Sequence, residues 1–137
     1  MEKRSVEAIV GALNHANVRY LVVGGLAVVA HGYVRFTADI DLILDLDAAN
    51  VSQAIAAMTA FSLFSADHPA TELDLFVEPP LDFEAAYHSA VRMEVAPGVI
   101  ATFIGLADLL SLKQRAGRAQ DLLDIEKLTA LRQERKP

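Results

Sequence analysis

The chain has 137 residues, of which 53% are hydrophobic and 22% charged, so it is long and apolar enough to bury a core as one domain and is not disordered. It has no cysteine, which excludes disulfides, thiolate metal sites and a cysteine nucleophile. Its net charge of −6 argues against broad, sequence-independent DNA binding, although bound divalent ions would still allow an anionic nucleotide. No apolar run is long enough to span a membrane, so a cytoplasmic protein is expected.

The first elements are a helix, a buried strand and a second helix. Ser5 is placed to cap the first helix, which should end near residues 14–17. The continuous apolar run Tyr20–Val23 predicts a buried strand. Gly24-Gly25 breaks that strand, and residues 26–31 suit a short helix.

The middle of the chain predicts two further buried strands that carry acids. Residues 39–44 form the first, with two carboxylates at one end, and Asp47 is placed to cap the helix that follows. Residues 61–64 are interpreted as a short strand. Residues 73–77 form a convincing strand that is stopped by Pro79-Pro80.

The remaining third of the chain predicts a hairpin between helical segments. The expected elements are one or two helical turns in 83–90, strands at 91–95 and 99–103 around Pro97-Gly98, and helices at 106–112 and 122–131 separated near Gly117. This order predicts an α/β or α+β fold with a small mixed β-sheet flanked by helices.

Three acids lie in strand-like surroundings. Asp39 and Asp41 are two residues apart, so on a strand they share a face, and Asp74 repeats the apolar–Asp–apolar pattern in another strand. Carboxylates in such places are costly unless they are paired or bind a metal, and Mg²⁺ prefers carboxylate and phosphate oxygens. The alternative is that Asp39 and Asp41 are strand-edge residues in contact with water, or turn formers, since an Asp-x-Asp pair often occurs by chance.

Gly24-Gly25 follows a buried strand and precedes a helix. Paired glycines there would let backbone N–H groups approach phosphate oxygens, with the helix N-terminus nearby. A plain tight turn would give the same dipeptide. The combination of strand, Gly-Gly, helix and Asp-x-Asp is more specific than any of its parts.

These residues carry a family resemblance that covers roughly residues 18–130. Val23-Gly24-Gly25 followed by Asp39-Ile40-Asp41-Leu42 resembles the signature of nucleotidyltransferases of the DNA polymerase β superfamily, and Leu73-Asp74-Leu75 resembles their third carboxylate. The segment 22–42 and the element from Leu112-Lys113 to Asp124-Ile125 look like the AbiEii/AbiGii-type toxin nucleotidyltransferases. Gly25 departs from the Ser of many relatives, and Gln120 from a frequent basic residue.

The resemblance implies that residues 1–137 are a single nucleotidyltransferase domain with a polymerase β-type fold and C-terminal helices. It implies Mg²⁺ or Mn²⁺ dependence and transfer of a nucleotidyl group from a nucleoside triphosphate to an acceptor hydroxyl. By carry-over, Asp39, Asp41 and Asp74 would bind metal and act in catalysis, Gly24 and Gly25 would contact phosphate, and Lys113 would lie near the triphosphate.

Other side chains have two interpretations each. Arg35 and Thr37 precede the Asp strand; Arg35 would steady a phosphate or an Asp, or would be an exposed loop residue. Lys113 is either a site residue or a solvated position on an amphipathic helix. His31 is interpreted as a helix-end or packing residue, and Arg118 and Asp121 as a pair or a helix cap.

The acceptor is left open as a protein or an RNA, and a cognate toxin or antitoxin is an expected partner because many relatives are longer. The alternative function is a weak or inactive nucleotidyltransferase-fold module that binds a partner protein. A bare structural domain with acidic edges is the third interpretation.

Overall fold

The computed structural model describes residues 3–63, 72–76 and 81–135. Their elements are α1 (Lys3–His15), β1 (Tyr20–Val23), α2 (Gly24–Ala30), β2 (Asp39–Leu44), α3 (Ala48–Leu63), β3 (Glu72–Phe76), α4 (Phe83–His88), β4 (Val91–Ala96), β5 (Val99–Phe103), α5 (Leu106–Ala116) and α6 (Ala119–Glu134). The α/β fold expected from the sequence is confirmed, and two helices, α5 and α6, follow the last strand.

The strands form one mixed sheet in the order β3-β2-β1-β5-β4. β1 pairs antiparallel with β2 and parallel with β5, whereas β2 pairs parallel with β3 and β4 antiparallel with β5. Because β2 runs opposite to β1, the last residue of β1 and the first residues of β2 lie at the same end of the strands, where Val23 is opposite Asp41. The acids lie at that end of the sheet.

The sheet centre and the helices packed on it share one apolar core. All four residues of β1 are buried, as are Ile40, Leu42 and Ile43 of β2, which explains their β-branched and leucine-rich composition. α1 packs against α3 and β5, α2 against β1 and β2, and α5 against α6. The buried face of β2 thereby anchors the strand that carries Asp39 and Asp41.

The sequence predicted most element positions correctly. The strands at residues 20–23 and 39–44 have the expected bounds, and the third predicted strand is β3, although its last expected residue, Val77, lies outside the described residues. The hairpin around Pro97-Gly98 is confirmed, with Gly98 at a φ of 77°. Strand β1, which precedes Gly24, and strands β2 and β3, which carry the three acids, are neighbours in the sheet.

Three predictions of local structure are wrong. Residues 61–63 end helix α3 and do not form a strand, because the alanine-rich segment before them favours helix and contains no turn signal (Phe64 lies outside the described residues). Ser5 does not cap α1, which begins at Lys3 and buries Ser5 within the helix. α2 begins at Gly24 instead of residue 26, because Gly24 has a φ of 65° and turns the chain directly from strand into helix.

Within the described ranges, no helix has the length and apolar character needed to cross a membrane.

Candidate functional site

The three predicted acids come together at one end of the strands, on the neighbouring strands β2 and β3. Asp41 of β2 lies directly opposite Asp74 of the parallel strand β3, and Asp39 lies two residues earlier on β2. Each of the three offers a carboxylate oxygen, and these oxygens lie within 4.8 Å of one another. Asp39 and Asp41 are partly buried and Asp74 is exposed, so the cluster opens to solvent on the β3 side.

The cluster changes the protonation of its central member. Partial burial, a hydrogen bond to Asp74 and the negative charges of Asp74 and Asp39 raise the pKa of Asp41 to about 6. Converging carboxylates repel one another when ionised, so at least one of them holds its proton more tightly than an isolated Asp does. A cation bound among the three would relieve the same repulsion.

The donor set fits a hard divalent ion. Three carboxylates with oxygens this close supply the anionic oxygen ligands that Mg²⁺ and Mn²⁺ prefer, and the partly exposed position leaves room for ligands from a bound phosphate. Asp39, Asp41 and Asp74 therefore could hold a metal ion.

Close packing around positions 24 and 25 leaves no room for a side chain, so both positions require glycine. A Cβ on Gly24 would collide with the carboxylate of Asp41, and the positive φ of Gly24 also disfavours other residues. A Cβ on Gly25 would lie 2.5 Å from Thr37 Oγ1 and 2.8 Å from Thr37 Cβ. The two glycines thus let β2 and the loop before it approach the end of β1, which brings Asp41 and Thr37 into the site.

Lys113 lies in a buried ionic network and is not a solvated residue. The side chain of Lys113 is only 6% exposed, and its Nζ lies 3.0 Å from Asp121 and 3.0 Å from Asp124 of α6. Arg118 extends the network with a contact of 2.6 Å from its Nε to Asp121. We call Arg35, Lys113, Arg118, Asp121 and Asp124 the lysine network.

Arg35 joins the loop before β2 to the lysine network. Its Nε and Nη2 donate to the two carboxylate oxygens of Asp124 at 2.8 Å each, a bidentate pair in which Asp124 is fully buried. The Asp that Arg35 contacts is therefore an Asp of α6 and not one of the three clustered acids. Gln120 also donates to Asp124, at 2.8 Å.

The two acids of the network are held ionised. Burial opposes ionisation, but hydrogen bonds from Arg118 and Lys113 lower the pKa of Asp121 to about 2. The pKa of Asp124 is also lowered, by hydrogen bonds from Arg35, Gln120 and Lys113 that outweigh its burial. Lys113 is therefore held in place by two permanent negative charges.

Two cavities adjoin the carboxylates. The larger has a volume of about 590 Å³ and the smaller about 350 Å³, and both are lined by Gly24, Asp39, Asp41, Lys113, Arg118 and Asp121. Gly25, Arg35 and Thr37 line the smaller cavity but not the larger one. Asp74 lines only the larger cavity of the two. All eight residues predicted for the site thus line one or both cavities.

The remaining sequence interpretations concern residues around the site. Arg118 and Asp121 do form a pair, and the Arg118 backbone N–H also donates to Asp121 at the start of α6, so both readings of that pair are confirmed. His31 follows α2, and its Nε2 lies 2.8 Å from the carbonyl oxygen of Ile104, which fits the packing role expected for it.

Sequence reasoning missed several residues of the lysine network and of the cavity lining. The sequence analysis named Asp121 and Asp124, but not as the ionic partners of Lys113. The available signal was their spacing of three residues on a helix, which places both on one face. Leu75, Phe76 and Arg115 line the larger cavity and were not singled out. No local pattern in the sequence distinguishes them from ordinary strand and helix positions.

Comparison of the chain with family models and with curated protein sequences finds no match. The fold and the site define an α/β protein with a carboxylate cluster compatible with a metal-dependent active site.

Proposed function

We propose that this protein is a metal-dependent nucleotidyltransferase, which moves a nucleoside monophosphate from a nucleoside triphosphate to an acceptor hydroxyl. The observation that carries the proposal is the convergence of Asp39, Asp41 and Asp74 beside the Gly24-Gly25 turn. The resemblance of those same residues to polymerase β-type nucleotidyltransferases supports it.

Each group has a role that its position suits. The triphosphate is assigned to the smaller cavity, where Thr37 and Arg35 join the glycines. Mg²⁺ or Mn²⁺ held by the three aspartates would neutralise phosphate charge and polarise the reacting oxygens. Asp74 is the carboxylate that opens only to the larger cavity, so it is assigned as the base that accepts the acceptor hydroxyl proton.

The reaction is a single displacement at phosphorus. The acceptor hydroxyl oxygen bonds to the α-phosphorus, the bond from that phosphorus to the bridging oxygen breaks, and pyrophosphate leaves. The hydroxyl proton passes to a carboxylate oxygen of Asp74. Lys113, which lines both cavities and is held by Asp121 and Asp124, is assigned to stabilise the developing charge on the phosphates.

A second candidate function is a weakly active or inactive module of the same fold that binds a partner protein. The observation that favours it is the state of Lys113, whose charge is already matched by two buried aspartates. Gly25 also lacks the hydroxyl of the Ser that many active relatives carry. A toxin or antitoxin role is compatible with either candidate.

Label transfer distinguishes the two candidates. The protein is incubated with each nucleoside triphosphate labelled at the α-phosphate, with Mg²⁺ and a host-cell lysate, and the label is followed into protein and into RNA. Transfer that depends on Mg²⁺ and falls by at least about a hundredfold in Asp41→Asn supports the enzyme.

The matched control for that experiment is Asp108→Asn, which removes a carboxylate from α5 that lines neither cavity. It should transfer label as the wild type does. Equal transfer by wild type and Asp41→Asn, or no transfer with any of the triphosphates, would contradict the proposed enzyme and favour the partner-binding module.

A further inference from the structure

The sheet has one edge strand that is exposed and carries two opposite charges. In the part of the chain that the structure describes, β4 is the last strand of the sheet and pairs with β5 alone. The side chains of residues 91–94 are exposed, with Val91 at 38% and Met93 at 37%. An exposed edge strand is a surface on which another strand can pair through its backbone.

The charges of β4 lie on one face of the strand. Arg92 and Glu94 share that face, and Val91 and Met93 share the other, because successive side chains of a strand alternate. Cross-strand neighbours are the unit of sheet stabilisation, so this alternation decides which residues of a second strand fit opposite β4.

Contacts within the chain position both charged side chains. The guanidinium of Arg92 lies 5.1 Å from the centroid of the Tyr87 ring, and Glu94 accepts a hydrogen bond from the Gly98 backbone N–H at 3.3 Å. Neither of these contacts is an ion pair, and both side chains are exposed. Both charges can therefore meet an opposite charge on a second strand.

One antiparallel register makes β4 complementary to a second copy of itself. Opposed residues of an antiparallel pair present their backbone groups alike, so the strand can shift only by steps that place Arg92, Met93 or Glu94 opposite itself. The first of these registers opposes two arginines and the last opposes two glutamates, and like charges directly opposite are destabilising. With Met93 opposite itself, each Arg92 lies opposite a Glu94 of the other copy.

We infer that β4 is a homodimer interface, in which two copies pair antiparallel with Met93 on the twofold axis and Arg92 of each copy opposite Glu94 of the other. The two five-stranded sheets then form one continuous sheet. A twofold pairing of this kind occupies the edge of both copies at once, so the assembly closes at two chains and does not continue as a fibre.

The apolar face of β4 favours the same axis. Met93 and Val95 line a groove of about 470 Å³ together with Leu26, Phe36 and Phe103, and Phe36 is 79% exposed. With Met93 on the axis, the two methionine side chains meet at the rim of this groove and bury apolar surface there. Methionine suits such a position because its unbranched side chain adapts to an irregular contact.

The interface is small. The register of β4 against β5 shifts between Glu94 and Ala96, and such an irregularity bends an edge strand, so regular pairing is confined to residues 91–94. This strand segment with the groove rim is less extensive than a standard interface between proteins, and we expect a dimer whose population rises with protein concentration.

The interface is separate from the candidate active site. β4 contributes no residue to the carboxylate cluster or to the described lining of the two cavities beside it, and β1 and β5 lie between β4 and β2. At a strand spacing of about 4.8 Å, the two carboxylate clusters of the dimer are on the order of 30 Å apart. The inference is therefore independent of the proposed function, and its test needs no measurement of activity.

The test is analytical ultracentrifugation of charge variants over about a hundredfold range of protein concentration. Arg92→Glu and Glu94→Arg each place like charges opposite one another in both cross-strand pairs, so each should raise the dissociation constant of the dimer by about tenfold or more. Arg132→Glu makes the same change of net charge as Arg92→Glu at an exposed position of α6, and it should dimerise as the wild type does.

A mixture of the two interface variants separates lost charge pairing from a damaged fold. In the mixed dimer, the two glutamates of one copy lie opposite the two arginines of the other. Arg92→Glu and Glu94→Arg should therefore form a mixed dimer at concentrations where each variant alone is a monomer. A variant that had lost its fold would not pair in the mixture, and the absence of a mixed dimer would overturn the assigned register.

A single introduced cysteine locates the axis, because the chain has no cysteine of its own. Met93→Cys places two thiols opposite each other, with Cβ atoms about 4.5–5.5 Å apart, and a short thiol-reactive reagent should cross-link them. Val91 is as exposed as Met93, but it lies opposite Val95 of the other copy. The two Val91 positions are about 13 Å apart along the strand, so Val91→Cys should cross-link much more slowly.

The outcomes decide the inference. A wild type that is monomeric over the whole concentration range overturns it. A dimer that Arg92→Glu leaves unchanged, or one in which Val91→Cys cross-links as fast as Met93→Cys, also overturns it, because either result assigns the contact to another surface or register. A dimer that both charge variants weaken, that their mixture restores and that position 93 cross-links establishes it.

Discussion

At the scale of the residue, Asp41 is the group whose chemistry depends most on its neighbours. Its carboxylate lies between those of Asp39 and Asp74, and burial together with their charges raises its pKa to about 6. The cost of this repulsion falls on the folded state when no cation is bound. A residue that destabilises its own fold in the absence of a ligand is typical of a functional site.

The raised pKa predicts how stability depends on pH. Folded protein binds the Asp41 proton more tightly than unfolded protein, so unfolding releases that proton at pH values between the ordinary Asp pKa of 3.8 and the folded-state pKa of about 6. The contribution of Asp41 to the free energy of unfolding therefore falls as pH rises through this window, by about 3 kcal/mol in total. Denaturant unfolding of the metal-free protein between pH 4 and 7 measures it.

The comparison for this prediction is Asp41→Asn, which cannot titrate. The difference in unfolding free energy, wild type minus variant, should decline across the window. A difference that is constant from pH 4 to 7, or that grows with pH, would show that Asp41 is not under carboxylate repulsion.

Gly25 gives a second prediction at this scale. Gly25→Ala places a Cβ 2.5 Å from Thr37 Oγ1, so the loop before β2 must shift, and we expect a loss of about 1–3 kcal/mol. Gly11→Ala is the matched control, because a Cβ there meets nothing within 4 Å and α1 should gain about 0.5–1 kcal/mol. Thermal unfolding of both variants checks the pair. An unchanged or more stable Gly25→Ala would contradict the packing role.

At the scale of the element, the lysine network is what connects the C-terminal helices to the site. α5 contributes Lys113, α6 contributes Asp121 and Asp124, and the loop of residues 31–38 contributes Arg35. The bidentate pair of Arg35 with Asp124 joins positions 89 residues apart in the sequence. The position of the loop that carries Thr37 therefore depends on α6.

Removing the central charge of the network tests that connection. Asp124→Asn keeps the shape of the side chain but leaves the cations Arg35 and Lys113 undercompensated in a buried position, so we expect a loss of at least about 3 kcal/mol. Glu126→Gln, an exposed position on the same helix, should change the free energy of unfolding by less than about 0.5 kcal/mol. Chemical denaturation measures both, and equal stabilities would refute the role of the network.

The elements also show what a single sequence can and cannot predict. Buried strands were predicted because continuous apolar runs such as Tyr20–Val23 have few other interpretations at that length. The end of α3 was predicted wrongly because Phe61 and Leu63 favour a strand locally, whereas the helix continues from the alanine-rich segment before them. The local sequence pattern predicts a helix or strand correctly only where the preceding element does not continue into that segment.

At the scale of the whole molecule, the site depends on the order of the strands. β2 lies between β1 and β3. One end of these three strands therefore brings together the Gly24 turn, Asp39, Asp41 and Asp74. The sequence predicted this convergence from the motif. It could not predict the burial of Lys113, because that depends on how α5 and α6 pack.

The measurement that tests the central claim most directly is the melting temperature of wild type and Asp41→Asn, with and without Mn²⁺ and nucleoside triphosphate. A ligand pair that binds only the folded state should stabilise the wild type by about 2.7 kcal/mol at a hundredfold excess over its dissociation constant. Each kcal/mol should raise the Tm by roughly 2–6 °C in a protein of this size.

Asp41→Asn keeps the shape of the side chain and removes one charge from the carboxylate cluster. The metal-free variant should therefore melt at the same temperature as the metal-free wild type or higher, and Mn²⁺ with triphosphate should not stabilise it. A metal-free variant that melts below the wild type, with an unchanged response to Mn²⁺ and triphosphate, would show that Asp41 is a structural residue and would contradict the metal site.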